Sequence, residues 1–518
     1  MKRYCVCLIG VFMLGLPLLI WAQGAAPKRG GRLTFGIERD ISTMNPFVRL
    51  SSTDRYVRGL FYEALIDEDT KGAPIPALAE SWSISKDGLT YSFKIRRGVK
   101  FHNGTELTAE DVKWCADYAM DPKNGSNGLT YLREVKAITV TDRYTIEFTL
   151  REPNAVFLSY LALRAFAVVP KGSVSSGTDR VDTFPPGTGP FVFKEWRKLG
   201  HVTFARNKDY WQKDIPYLDE VVVKVAEEPS VRFTALRAGD LDMIERTPYA
   251  HVLNVQNGSV RGVKATPAPF GGFRRIIFNV VEAPFNNPKL RQAVAHAIDR
   301  KQFVQGGFWG YGHPTQQRFP QGTPWHFKLP ERERNPATVK ALLKEAGVAP
   351  DLEIELLARR GVEDEQQVLQ QQLSTAGIKL KLVVLEGASY REQQRAGNFQ
   401  MILYGGDLPS DPDDVYLPEY GCDEKSIQAK KRTNNVSGYC NKEMDRLLVE
   451  ARKTTDQKKR YELYAKVGRI LHDDTPELPL VYVPRFFTYN DKVKGFSTDG
   501  DGRFNAVSFG LSRVWIDR

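Results

Sequence analysis

Cysteine is scarce in this chain, with five in 518 residues, too few for a disulfide scaffold. Cys5 and Cys7 lie in the first ten residues, and Cys115, Cys422 and Cys440 show no C-x-x-C spacing of the kind that holds zinc or performs dithiol redox work. Histidine is equally sparse. The seven, His102, His201, His251, His296, His313, His326 and His472, form no H-E-x-x-H or other close ligand pair, which disfavours a metalloenzyme. The G-x-S-x-G elbow of a serine hydrolase and the G-x-x-x-x-G-K-[ST] phosphate loop are both missing. No low-complexity tract, Gly/Ser linker or fixed repeat occurs, so a solenoid and a flexibly tethered array are disfavoured. No catalytic residue, cofactor or metal is therefore expected, although paired carboxylates of a secreted hydrolase leave no motif and stay open.

What is present begins with Lys2 and Arg3, an apolar run from Leu8 to Trp21, and the small-residue stretch Ala22-Gln23-Gly24-Ala25-Ala26. This is the pattern of a secretory signal peptide, here residues 1–24, because the run is shorter than the ~20 residues that span a bilayer. No cysteine stands at its small-residue end, so no lipid anchor is expected. No later run is long enough to cross a membrane, and the mature chain is expected to be extracytoplasmic without stable membrane insertion. In that oxidising setting Cys422 and Cys440, which flank a polar loop, are expected to pair, leaving Cys115 as a buried free thiol. The 73 basic and 62 acidic residues leave a net charge of +11, but they are interleaved without a Lys/Arg block. That is a mixed solvated surface, and no nucleic-acid partner is expected.

Periodicity predicts a mixed α/β chain of more than one core. Residues 89–96 (LTYSFKIR) and 144–151 (YTIEFTLR) alternate as half-buried strands, and Thr108 to Asp111 resembles a helix N-cap. A helix is predicted from Pro229 to Gly239, with a strand from Leu241 to Ile244. Residues 352–358, 364–376 and 378–385 form a predicted β-α-β unit. A polar helix near Tyr390 to Ala396, a strand from Phe399 to Tyr404 and a helix pair from Lys442 to His472 follow. Pro476 to Pro479 is then expected to break the chain before a strand at Leu480 to Val483. His102, in the turn-like segment FHNGT, is read as structural. Asp407, Asp411, Asp413 and Asp414 lack the register of a calcium loop.

Residues 78–113, LAESWSISKDGLTYSFKIRRGVKFHNGTELTAEDVK, closely resemble the signature of the bacterial extracellular solute-binding proteins of family 5, the oligopeptide, dipeptide and nickel receptors of ABC importers. FYEALID (61–67), GTGPFVFKEW (187–196), RNKDYWQKDIPYLDEVVVKV (206–225), FNNPKLRQAVAHAIDRKQFV (285–304) and SGYCNKEMDRLLVEAR (437–452) extend the resemblance in order along the chain. The resemblance implies a two-lobed periplasmic-binding-protein-like clamshell with a small subdomain inserted in the first lobe. It implies lobe 1 over 25–268, lobe 2 over 269–486 and a C-terminal return to lobe 1 over 487–518. The crossovers are expected at Thr266-Pro267-Ala268-Pro269 and at Pro479 to Pro484.

The function implied is a non-enzymatic periplasmic receptor, expected as a monomer, that binds an oligopeptide-like ligand by hinge closure and delivers it to ABC permease subunits. Receptors for oligosaccharides or other small solutes are the alternative. In the peptide-binding members an Asp before a Pro-Asp-Pro-like turn holds the ligand's amino terminus, and Asp407 matches that position. Asp before a proline-containing turn is also ordinary turn chemistry, and the residues alone leave both readings open. Dipeptide receptors hold the ligand carboxylate with an Arg just before the second-lobe helix. Here that position falls near Asp364, with Arg359 and Arg360 upstream, so no arginine is expected at the far end of the ligand.

Overall fold

The computed structural model describes residues 26–48, 52–69, 73–126, 128–162, 166–174, 184–349, 352–406, 411–497 and 510–517. Strict alternation in Thr90–Ile95 buries Tyr91, Phe93 and Ile95 on one face, and the strand takes the centre of a four-stranded antiparallel sheet. Thr145–Leu150 pairs with it on one side and Ala79–Ile84 on the other, with Val135–Asp142 at the far edge. The helix Ala109–Met120 covers this sheet. At its start the Asp111 carboxylate accepts from both the backbone N–H and the hydroxyl of Thr108, each at 2.9 Å.

The larger sheet has eleven strands. From one edge the order is Lys379–Leu385, Glu353–Arg359, Met401–Gly406, Val263–Phe278, Glu477–Asn490, Met243–Ile244, Arg32–Ile37, Glu220–Val225, His201–Arg206 and Phe191–Arg197, with His313–Pro314 pairing Glu477–Asn490 off this path. The β-α-β unit forms around the helix Glu363–Thr375, which stops at Gly377 with φ +83°, and its two strands are parallel. The helix pair forms as Lys442–Lys453 and Gln457–Asp474, started by the side chains of Asn441 and Asp456. The polar helix spans Gly387–Ala396, and the strand after it is Met401–Gly406, two residues later than the alternation suggested.

Two strands differ most from the sequence reading. The stretch from Pro476 to Pro479 does not separate a helix from a four-residue strand, because Glu477–Asn490 is one strand of 14 residues. Its partner Val263–Phe278 has 16 and runs through Pro267. Each proline lacks a donor, and the ladder yields locally: the register shifts between Arg274 and Arg275, where Pro479 pairs, and again between Ala268 and Gly272. These antiparallel crossover strands join two groups of cores. One gathers Leu33, Phe35, Phe93 and Phe148 with the late residues Phe487 and Ile516. The others hold Ile276, Phe278, Leu356 and Leu480, and, around the helix pair, Trp325, Tyr416, Leu447 and Tyr464. The result is two α/β lobes connected through a shared strand pair.

Candidate functional site

Strand direction locates the cleft. Val263–Phe278 runs from the first lobe into the second, and Met401–Gly406 is antiparallel to it, so Gly406 points back toward the first lobe. Glu353–Arg359 and Lys379–Leu385 are parallel to Met401–Gly406 and end beside it. In the first lobe Met243–Ile244 is antiparallel to Glu477–Asn490 and parallel to Arg32–Ile37, which is parallel to Glu220–Val225, so these strands end toward the second lobe. The carboxyl ends of both parallel sets therefore face each other across the crossover strands. Ligands in open α/β sheets bind at such ends, where loops leave the strands and backbone groups are free.

Charged residues follow these ends. In the first lobe the Glu38 N–H donates to Glu245 Oε1 at 3.0 Å, and Arg246 Nε lies 3.4 Å from Glu38 Oε2. Burial would raise the Glu38 carboxyl, but Arg246 and Arg39 outweigh it and hold Glu38 below the usual carboxylate range. Burial raises Glu245, which is fully enclosed, with Arg246 opposing. In the second lobe Arg274 Nε donates to both oxygens of Glu365, at 2.8 and 3.1 Å. Tyr249, on the first-lobe helix Tyr249–Gln256, packs against Phe308 and Tyr311 of the second lobe, with ring centroids 6.0 and 5.6 Å away.

The first and second lobes also meet at a polar clasp. Tyr160 of the first lobe donates to Asp413 Oδ2 at 2.6 Å, and Asp413 also accepts from Arg452 Nε and Nη2 at 2.7 to 3.0 Å. Asp411 takes both Nη groups of Arg460 at 2.6 Å. The backbone adds a bond from Ala155 N–H to the Arg452 carbonyl at 2.9 Å. Arg133, just before the strand Val135–Asp142, and Leu417, Cys422, Asp423 and Arg432 line a cavity of about 350 Å³. That volume is in the range of small-ligand pockets.

Residues 73–426 match the model of the bacterial extracellular solute-binding proteins, family 5. The chain belongs to this family. Among its relatives the chain is 30% identical over 459 residues to the di/tripeptide-binding protein 2 of Pseudomonas aeruginosa (strain UCBPP-PA14), covering 82% of this chain and 84% of that protein. It is 26% identical over 495 residues to the glutathione-binding protein GsiB of Escherichia coli (strain K12), covering 94% and 95%. In structure it is similar to the ABC transporter-associated periplasmic binding protein DppA from Helicobacter pylori, solved with the peptide STSA. The TM-score is 0.82 and the identity 28%, covering 95% of this chain and 99% of that one.

For a family 5 protein the sequence-predicted residues fall as follows. Asp407, with 408–410, and the segment 1–25 lie outside the described residues. Asp411 and Asp413 serve the arginine pairs of the clasp. Cys422 and Cys440 are joined by a disulfide with Cα atoms 4.7 Å apart, and Cys115 is buried and free. His102 packs at a tilt against Phe61 with ring centroids 4.7 Å apart, its Nε2 lies 2.9 Å from the Gly189 carbonyl, and burial pushes its pKa down to about 4. That is a packed structural histidine. The interlobe contacts of Tyr160, Asp413 and Tyr249 had no sequence signal, since each joins segments far apart in the chain.

Proposed function

We propose that the protein is an extracytoplasmic receptor that takes an oligopeptide-like ligand into the interlobe cleft, closes over it by bending at the crossover strands, and delivers it to the permease of an ABC importer. The observation that carries this reading is the cleft itself. Two sets of parallel strand ends face each other, and among the described residues the paired strands Val263–Phe278 and Glu477–Asn490 connect the lobes, a geometry suited to hinge closure. The di/tripeptide-binding relative and the peptide-bound DppA support the ligand class.

In this reading the first 24 residues are removed on export and the mature protein acts as a monomer without chemistry of its own. The lobes divide as 25–268 and 269–486, with 487–518 returning to the first. Asp407 holds the ligand's amino group, since an ionised carboxylate at a strand end makes charge-assisted bonds in a closed cleft. The test is mass spectrometry of ligand released from gently purified protein, with thermal shift against tri- and tetrapeptides. Intact peptides that raise the melting temperature are the expected result. Recovery of a sugar would replace the peptide reading, and consumption of added peptide would replace the receptor reading.

A further inference from the structure

Arg274 has more hydrogen-bonding capacity than the fold uses. A guanidinium has five N–H donors in a planar fork. In Arg274 only Nε is engaged, by both oxygens of Glu365, and among the described residues Nη1 and Nη2 make no hydrogen bond. The Glu365 side chain is 6% exposed and that of Arg274 24%, so the acid is enclosed while part of the base remains open. An acid that grips Nε fixes the plane of the group and leaves its outer edge, the Nη1 and Nη2 pair, pointing elsewhere.

That edge lies at the carboxyl end of Met401–Gly406. Arg274 pairs with Gly405 across the ladder, so the two share a face of the sheet. A Cβ on Gly405 would stand 2.5 Å from Arg274 Nη1 and 3.0 Å from Cζ, so the guanidinium would have to shift to make room for it. Gly405 is exposed, and the guanidinium therefore crosses bare backbone at the cleft, two residues before Asp407. Phe308 packs 5.8 Å from its centre. Tyr249 of the first lobe and Arg485 of the second crossover strand are near enough to feel its charge.

We propose that Arg274 is a ligand-binding residue that takes a carboxylate of the bound molecule on its Nη1–Nη2 edge, with Glu365 as its positioning residue. A planar monoanion fits that edge in a bidentate manner, which a lysine or an amide does not reproduce. The inference rests on the peptide reading above and reverses the expectation drawn from Asp364: the arginine comes from a crossover strand instead of the second-lobe helix.

The test is calorimetry with one tripeptide as the free acid and as its C-terminal amide, on wild type, Arg274→Gln and Gly405→Ala. Wild type is expected to bind the acid about tenfold or more tighter than the amide, as for charge-assisted bonds. Arg274→Gln should lose that preference while keeping its affinity for the amide. Gly405→Ala, which displaces the guanidinium without removing it, should reduce the preference and serves if Arg274→Gln does not fold. A purely structural Arg274 would change the melting temperature and leave the acid-to-amide ratio intact. Equal wild-type affinity for acid and amide, or an unchanged ratio in both variants, overturns the proposal while the peptide reading stands. If no peptide binds at all, the peptide reading falls and this inference falls with it.

Discussion

Glu419 illustrates how the second lobe keeps charge inside. It accepts from Arg275 Nη1 at 2.7 Å and from Arg318 Nη1 at 2.8 Å, and both arginines are almost fully buried. Burial alone would raise its pKa, but Arg275 and Arg318 outweigh it and hold the carboxyl at about 2. A carboxyl depressed on folding contributes stability that is present above its unfolded pKa and lost as pH falls through the folded value. Replacing Glu419 by Gln is expected to cost about 3 kcal/mol at pH 7, from 1.36 kcal/mol per pKa unit. The gap between variant and wild type should shrink below pH 4.5 and close toward pH 2. Urea melts across that range check it, and a gap independent of pH would mean that Glu419 acts by packing alone. In the proposed peptide reading, Asp407→Asn is expected to weaken peptide binding by roughly 1.5 to 3 kcal/mol, the range for hydrogen bonds to charged groups. Acetylating the peptide amine should weaken it comparably, and the two losses should not add, since each removes one half of the same pair. Equal affinities by calorimetry would leave Asp407 as a turn residue.

Among the elements, the crossover strands carry the main mechanical demand. Where the register shifts between Ala268 and Gly272, a Cβ on Gly271 would meet Arg485 N at 2.8 Å and Arg485 Cγ at 2.7 Å. The neighbouring backbone cannot step aside as a side chain does. Gly271→Ala is therefore expected to destabilise the protein by about 1 to 3 kcal/mol, the usual cost of overpacking, read as a lower melting temperature. An unchanged value would show that the strands separate freely there. The β-α-β unit, the Thr108 cap and the alternating strands at 89–96 and 144–151 were legible in the sequence because each depends on residues within a few positions of one another, whereas the four-stranded sheet they join was not. The length of Glu477–Asn490 was not legible. Prolines read locally as breaks, and only the partner strand shows that the ladder absorbs them by shifting register.

At the scale of the molecule, the lobes meet at Tyr249 near the crossover strands and at the clasp of Tyr160, Asp413 and Arg452. Closure should be favoured by the clasp. Tyr160→Phe leaves the ring and removes one hydrogen bond to a carboxylate that Arg452 still neutralises. The expected outcome is a several-fold loss of peptide affinity with a small change in the melting temperature of the ligand-free protein. Small-angle scattering should then show a more open average shape at subsaturating ligand. Unchanged affinity and scattering would make the clasp incidental to closure. A ligand that binds only the native protein also raises its melting temperature by mass action, so the ligand-induced shift should fall in the same variant.

The sequence by itself determined the α/β class, most element positions and membership of a solute-binding family, because alternation, capping and the 78–113 signature are contiguous in the chain. Only the tertiary structure decided which groups meet in the cleft. Glu365 reaches Arg274 across 91 positions, and Tyr160 reaches Asp413 across 253. No local period encodes such pairs. They follow from the order and direction of the strands, which the lobes establish only when both have folded around their own cores.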